Sequence, residues 1–127
     1  MNKAEFRAMR EMVGMTQATL ADALGVEVRS VKRWESPSAP QVPPEEAWGV
    51  LRHAVAMQRQ VVDFMLGKAD EHEDAPVSIR YWASQGDYDA ERADGGDWRM
   101  ANANARAAAS VLLAEGRVVE WRDGPLA

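Results

Sequence analysis

The chain has 127 residues, a formal net charge of −5 and no cysteine, which excludes disulfides and thiolate metal ligands. Its length suits one domain or two small subdomains. With 46% apolar and 28% charged residues, its composition is that of a soluble globular protein and not of a disordered or membrane-spanning chain. The segment MNKAEFRAMREMVG lacks the apolar run of a signal peptide, and AAASVLLA is too short to cross a bilayer. We therefore expect a cytoplasmic protein.

The first third of the chain predicts three short helices. Asn2 and Thr16 suit the N-cap positions of the first two helices, and Gly14 and Gly25 suit their ends. In the third helix, Val28, Val31 and Trp34 recur at helical spacing. The second and third helices are therefore joined by a short turn.

A long fourth helix is predicted after the proline-rich loop SPSAPQVPP. Pro43 and Pro44 suit its first turn, because a proline there removes no intrahelical hydrogen bond. An apolar stripe continues to Leu66, which corresponds to a helix of roughly 35 Å at about 1.5 Å per residue. The segment GKADEHEDAP then predicts an acidic linker.

The last third predicts a β-α-β unit. VSIRYW alternates as a strand does, a helix with a small-residue face runs from Asp97 to a stop at Gly116, and RVVEWRD is a second strand. So small a unit exposes strand edges, so we expect it to pair with a second copy or to lie against the fourth helix. The predicted dimer contacts are Ile79, Tyr81, Trp98, Ala105, Leu112, Val119 and Trp121.

The second and third helices carry the pattern of a helix-turn-helix motif, whose second helix enters the major groove of DNA. Ala21 is small where the two helices must approach, and Gly25 stands at the turn. With Val31 and Trp34 facing inward, the outer face of the third helix presents Val28, Arg29, Lys32 and Arg33. Residues 1–35 hold six lysines and arginines against five acids, so this basic edge lies on an otherwise acidic chain.

These residue types predict distinct contacts with DNA. Arg29 presents a fork that matches guanine O6 and N7, and Val28 suits a thymine methyl group. Lys32 and Arg33 lie within reach of base edges and are better suited to clamping phosphates. The predicted phosphate contacts are Gln17, at the N-terminus of the second helix, Ser30 and Arg33.

The stretch MTQATLADALGVEVRSVKRWES resembles the Xre/Cro-repressor family of helix-turn-helix regulators. The resemblance implies that the residue at Gln17 contacts phosphate and that those at Val28, Arg29 and Arg33 read or approach base edges. It also implies a structural ion pair between Arg10 and Glu35. Glu27 departs from the pattern, because the family usually has a small polar N-cap there.

The C-terminal half resembles the anti-CRISPR-associated and YdiL-like regulators. The resemblance is carried by the order of elements, by Trp98 with Arg99, and by Glu115 with Gly116. It implies that this half is a dimerisation region. We therefore predict a mainly α fold with a small α+β part: a helix-turn-helix domain of four or five helices over residues 1–67, an acidic linker over 68–76, and a β-α-β dimerisation region over 77–127.

These features predict a homodimeric repressor that binds an inverted-repeat operator. We expect no cofactor, no metal site and no catalytic residues. The acids around His72 lie in a linker, and no nucleophile–base pattern or phosphate loop appears, so we do not expect an enzyme. Three alternatives stay open: the antitoxin of a toxin–antitoxin pair, with a toxin as partner protein; a protein-interaction adaptor that does not bind DNA; and binding of RNA by the same basic face.

Overall fold

A computed structural model describes residues 1–126, which are mainly helical with one small parallel sheet. The elements in chain order are α1 (Lys3–Met12), α2 (Gln17–Leu24), α3 (Val28–Glu35), α4 (Glu45–Asp70), β1 (Val77–Arg80), α5 (Gln85–Glu91), α6 (Trp98–Ala114) and β2 (Val119–Arg122). None of the helices within these residues is both long and apolar enough to cross a membrane.

The chain divides into two compact units, an N-terminal unit of Met1–Met57 and a C-terminal unit that begins at Gln58. The division falls inside α4, whereas the sequence predicted a first domain that ends at residue 67 and a linker over 68–76. The C-terminal part of α4 belongs to the second unit because its apolar side chains, Met65, Leu66 and Ala69, pack into that unit's core.

The predicted capping residues begin the first two helices. The Glu5 backbone N–H donates to Asn2 Oδ1 (2.9 Å), and the Thr19 backbone N–H donates to Thr16 Oγ1 (3.0 Å). Gly25 closes α2 with a φ of 66°, a left-handed conformation that glycine adopts without steric cost. These local interactions confirm the predicted boundaries of α1 and α2.

The core of the N-terminal unit is built around Phe6, which is fully buried together with Leu20, Val31 and Leu51. The Phe6 ring meets the Trp48 ring edge to face at 5.1 Å, and the Trp34 ring lies 6.3 Å away in the same kind of contact. The ring contacts of Phe6 therefore join α1 to α3 and to the start of α4.

The start of α4 differs slightly from the prediction. Pro43 and Pro44 precede the helix instead of occupying its first turn, and the Pro44 carbonyl accepts hydrogen bonds from the backbone N–H groups of Ala47 and Trp48 (3.0 and 3.2 Å). The helix also continues four residues beyond Leu66. Ala69 is buried, so the beginning of the predicted linker is helical.

In the C-terminal unit, β1 and β2 pair in parallel, with Val77 opposite Val119 and Ile79 opposite Trp121. Two helices lie between the strands along the chain, since α5 precedes the predicted α6. Ser84 caps α5 by accepting a hydrogen bond from the Asp87 backbone N–H (3.0 Å). The prediction missed this helix because its seven residues carry no apolar repeat.

Three of the predicted dimer contacts are core residues of the C-terminal unit. Ile79, Ala105 and Leu112 are 3%, 3% and 1% exposed, and they form one cluster with Ala69 and Ala109. A side chain covered by its own chain has no surface to offer a second copy, so their assignment to an interface is corrected. The small side chains of α6 allow the helix to approach the sheet closely.

Candidate nucleic-acid interface

One face of α3 is buried and the opposite face carries positive charge. Val31 is fully buried and Trp34 is partly buried, whereas the side chains of Arg29, Lys32 and Arg33 are exposed. Val28 and Ser30 lie at the border between the two faces and are partly buried. The predicted base-contact and phosphate-contact residues of α3 therefore lie on one short helix, with the three cations at its surface.

The turn before α3 is short and ordered. The Val26 backbone N–H donates to the Ala21 carbonyl (3.0 Å), and Glu27 occupies the N-cap position in an extended conformation. The Glu27 side chain makes no capping hydrogen bond. Instead its Oε2 atom forms an ion pair with Arg29 Nε at 2.8 Å, between side chains that are 72% and 70% exposed.

Arg10 and Glu35 form a bidentate ion pair between α1 and the end of α3. Arg10 Nε and Nη2 donate to the two carboxylate oxygens of Glu35 (2.6 and 2.8 Å), and Arg10 Nη1 donates to the Met15 carbonyl (2.8 Å). The two side chains are only 10% and 5% exposed. The structure thus brings together the two residues that the family resemblance pairs.

Gln17 joins this ion pair. Its Nε2 atom donates to Glu35 Oε1 at 3.1 Å, so the predicted phosphate-contact residue already has an intramolecular partner. Glu35 consequently accepts hydrogen bonds from α1 and α2 while it belongs to α3. This one buried carboxylate fixes the relative positions of the three helices.

A polar depression of about 430 Å³ opens beside the ion pair and is lined by Arg7, Arg10, Gln17, Lys32, Glu35 and Ser36. Its lining contains three cations and one carboxylate. Arg7 also hydrogen-bonds Glu11 at 2.5 Å, and this hydrogen bond holds the pKa of the Glu11 carboxyl below its ordinary value. The depression therefore presents net positive charge beside the exposed face of α3.

Sequence reasoning missed the role of Lys3. Its Nζ atom donates to the carbonyls of Arg33, Ser36 and Ala39 (2.9, 2.7 and 2.8 Å), which lie at and after the end of α3. A cation is favourable there because the last carbonyls of a helix lack intrahelical partners and carry partial negative charge. No local signal predicts this contact, since it joins residues at least 30 positions apart.

The remaining predicted dimer contacts of the C-terminal unit reach its surface. Tyr81 and Trp121 are exposed and their rings meet edge to face at 5.4 Å, whereas Trp98 and Val119 are partly buried. His72 is exposed after α4, and residues 1–126 contain no group of three histidine or acidic side chains placed to hold a metal ion.

The Aca2/YdiL-like family model matches residues 1–121. The chain belongs to the Aca2/YdiL-like family. The match extends from α1 into β2, so it includes α3 with its exposed cations and most of the C-terminal unit. This result confirms the YdiL-like part of the predicted resemblance, and a role in regulation is compatible with membership. None of the curated proteins matches the chain.

Proposed function

We propose that this protein is a sequence-specific DNA-binding transcriptional regulator of the helix-turn-helix type. It acts as a homodimeric repressor on an inverted-repeat operator, and its own gene is among those it controls. The observation that carries the proposal is the exposure of Arg29, Lys32 and Arg33 on one side of α3 while Val31 anchors the other side in the core. Membership of a family of anti-CRISPR-associated regulators agrees with this function.

In this proposal the N-terminal end of α3 enters the major groove. The Arg29 guanidinium then donates two hydrogen bonds to guanine O6 and N7, a contact that discriminates between bases by about 1–3 kcal/mol. Val28 contacts a thymine methyl group. The buried ion pair of Arg10 with Glu35 contributes by holding α3 rigidly, because a recognition helix must keep its orientation to distinguish bases.

Phosphate contacts come from the edge of the same surface. Lys32 and Arg33 supply exposed charges, and Ser30 and Gln17 supply hydrogen-bond donors. Arg7, Arg10 and Lys32 in the lining of the polar depression would favour a phosphate group there. Each phosphate neutralised in this way releases counterions, so binding should weaken steeply as the salt concentration rises.

Two copies are part of the proposal because one recognition helix reads too few base pairs to locate a site in a genome. Two helices separated by about 34 Å, one turn of DNA, would read the two halves of an inverted repeat. The exposed rings of Tyr81 and Trp121, with Val118 and Leu113, supply apolar surface for the second copy in the C-terminal unit. Trp98 and Val119 stay predicted dimer contacts, at the margin of this apolar surface.

The test of DNA binding is fluorescence anisotropy with the full chain, using the DNA upstream of its own gene and a scrambled duplex across a salt series. We expect preference for the native duplex, a steep salt dependence, and loss of the preference in Arg29→Ala. Arg59→Ala, which removes an exposed arginine from α4, is the matched control and should bind as the unmodified protein does. Equal, weak binding to both duplexes would contradict the proposal.

The test of the dimer is the molar mass in solution, measured by light scattering. We expect twice the mass of one chain, and dissociation in Trp121→Ser. A monomer at every concentration would contradict the homodimer. Capture of one small neighbouring protein by the exposed aromatic residues would instead favour the antitoxin alternative.

A further inference from the structure

A carboxylate lies at the tip of the proposed reading surface. Glu27 precedes α3, its side chain is 72% exposed, and its Oε2 atom forms an ion pair with Arg29 Nε at 2.8 Å. Its side chain makes no capping hydrogen bond, so its effect on the helix is limited to the attraction between a carboxylate and the helix N-terminus. Ser, Thr or Asn at this position would add the capping hydrogen bond that Glu27 does not make.

The contact with Glu27 leaves the other end of Arg29 available. Within residues 1–126, the terminal nitrogens Nη1 and Nη2 make no hydrogen bond, since the only ion pair of this side chain is through Nε. A bidentate contact with guanine needs two parallel N–H donors, and the two terminal nitrogens of the guanidinium provide them. Glu27 therefore restricts the rotation of Arg29 while leaving its reading edge free.

A carboxylate near DNA is repelled by phosphates, so it needs an attractive partner among the bases. In the major groove, donors are offered only by the amino groups of cytosine N4 and adenine N6. The adenine amino group stands between two acceptors, adenine N7 and thymine O4, which repel a carboxylate, whereas cytosine N4 has an acceptor on one side only, guanine O6. Cytosine is therefore the base that Glu27 tolerates best.

We propose that Glu27 is a specificity-determining residue that accepts a hydrogen bond from cytosine N4, while the Arg29 it holds donates to a guanine of the neighbouring base pair. The ion pair keeps the exposed carboxylate and the exposed guanidinium side by side at the N-terminus of α3, so the two groups can address neighbouring pairs. This inference rests on the proposed binding of DNA by α3. To the proposed binding of DNA by α3, the inference adds a requirement for cytosine in the operator. Glu27 would repel a sequence that lacks this cytosine.

The experiment is selection from a library of duplexes with a randomised half-site, by the full-length protein and by Glu27→Gln, Glu27→Ala and Glu27→Ser. Glu46→Gln, which removes an exposed acid from the first turn of α4, is the matched control for the change in charge. Anisotropy then measures the affinity for the selected duplex and for one in which the cytosine pair is replaced by T·A. Far-UV circular dichroism checks that each variant is folded, and Glu27→Ser supplies a variant that gains an N-cap.

We expect the unmodified protein and Glu46→Gln to select a motif that contains a guanine and a cytosine on adjacent pairs. Replacing the cytosine pair should weaken their binding by about tenfold or more, within the range of one good base contact. In Glu27→Ala and Glu27→Ser the same replacement should have little effect, the preference for guanine should remain, and the affinity for scrambled DNA should rise. Glu27→Gln should accept adenine, whose N6 and N7 match an amide.

Two results would overturn the inference, and they differ from failure of the proposed function. If the Glu27 variants keep the cytosine preference and bind all sequences more tightly, Glu27 is only a repelling charge. If the selected motif contains no cytosine at a position sensitive to Glu27, the carboxylate reads no base. If the unmodified protein selects no motif at all, the proposal of sequence-specific binding fails first.

Discussion

Glu35→Gln is expected to destabilise the N-terminal unit strongly while leaving the C-terminal unit folded. The substitution keeps the size of the side chain and removes its charge, so Arg10 becomes a cation that is 90% covered and keeps only the more distant Glu11 carboxylate, at 3.9 Å from Nη2. It also puts an amide donor where Glu35 accepted hydrogen bonds from Arg10 and Gln17. Removing one partner of a buried ion pair costs about 3–5 kcal/mol.

That cost is large for a unit of this size. At roughly 0.05–0.15 kcal/mol per residue, the 57 residues of the N-terminal unit have a total free energy of unfolding of about 3–9 kcal/mol. The cost is therefore a large share of that total, and the variant should unfold at a much lower urea concentration than the unmodified protein. DNA binding should weaken equally for every sequence, because the folded fraction falls while the reading residues of α3 are unchanged.

The assay is urea unfolding followed by circular dichroism and by the fluorescence of Trp34 and Trp48, which lie in this unit. The matched control is Glu11→Gln, which removes an exposed carboxylate that pairs with Arg7 and lies 3.9 Å from Arg10, and should cost less than about 1 kcal/mol. Changing both Arg10 and Glu35 to methionine should cost less than the sum of the single changes, because no charge is left unpaired. If Glu35→Gln unfolds at the same urea concentration as Glu11→Gln, the ion pair does not hold α1 to α3.

Three further outcomes are expected. Lys3→Met should remove the donor to three carbonyls at the end of α3 and increase amide hydrogen exchange of the residues that follow α3; unchanged exchange would contradict this role. Asn102→Ala should cost about 2–4 kcal/mol, measured by urea unfolding, because Asn102 bonds both the backbone N–H and the carbonyl of Trp82 (2.8 and 2.9 Å) inside the C-terminal unit. The hydrogen bond from the Ala83 backbone N–H, assisted by the Arg80 guanidinium, lowers the pKa of Asp87, so its contribution to stability is complete above about pH 4 and is lost as the pH falls further. The melting temperature of Asp87→Asn should consequently fall less steeply than that of the unmodified protein as the pH is lowered from 6 to 2. Parallel pH profiles of the two proteins would contradict this role of Asp87.

The sequence alone determined the features that depend on neighbouring residues. Asn2 and Thr16 begin helices, and Gly25 ends one, because each acts on backbone groups within four positions of itself. The spacing of Val31 and Trp34 likewise indicated which side of α3 faces solvent. Ser84 with an acid three residues later is also a local helix-start pattern, and it begins α5 although the seven residues of this helix carry no apolar repeat.

The tertiary structure decided which distant groups meet. Lys3 bonds carbonyls 30 to 36 positions away, and Gln17 contacts Glu35 across 18 positions, in a geometry that no local pattern contains. Ile79 and Leu112 were equally compatible with a core and with a dimer interface. The sequence shows that these side chains are apolar, but it does not show whether the same chain or a second copy covers them. Their burial within one chain followed from the packing of α6 and the end of α4 on the sheet, where the apolar surfaces of three separate segments are removed from water together.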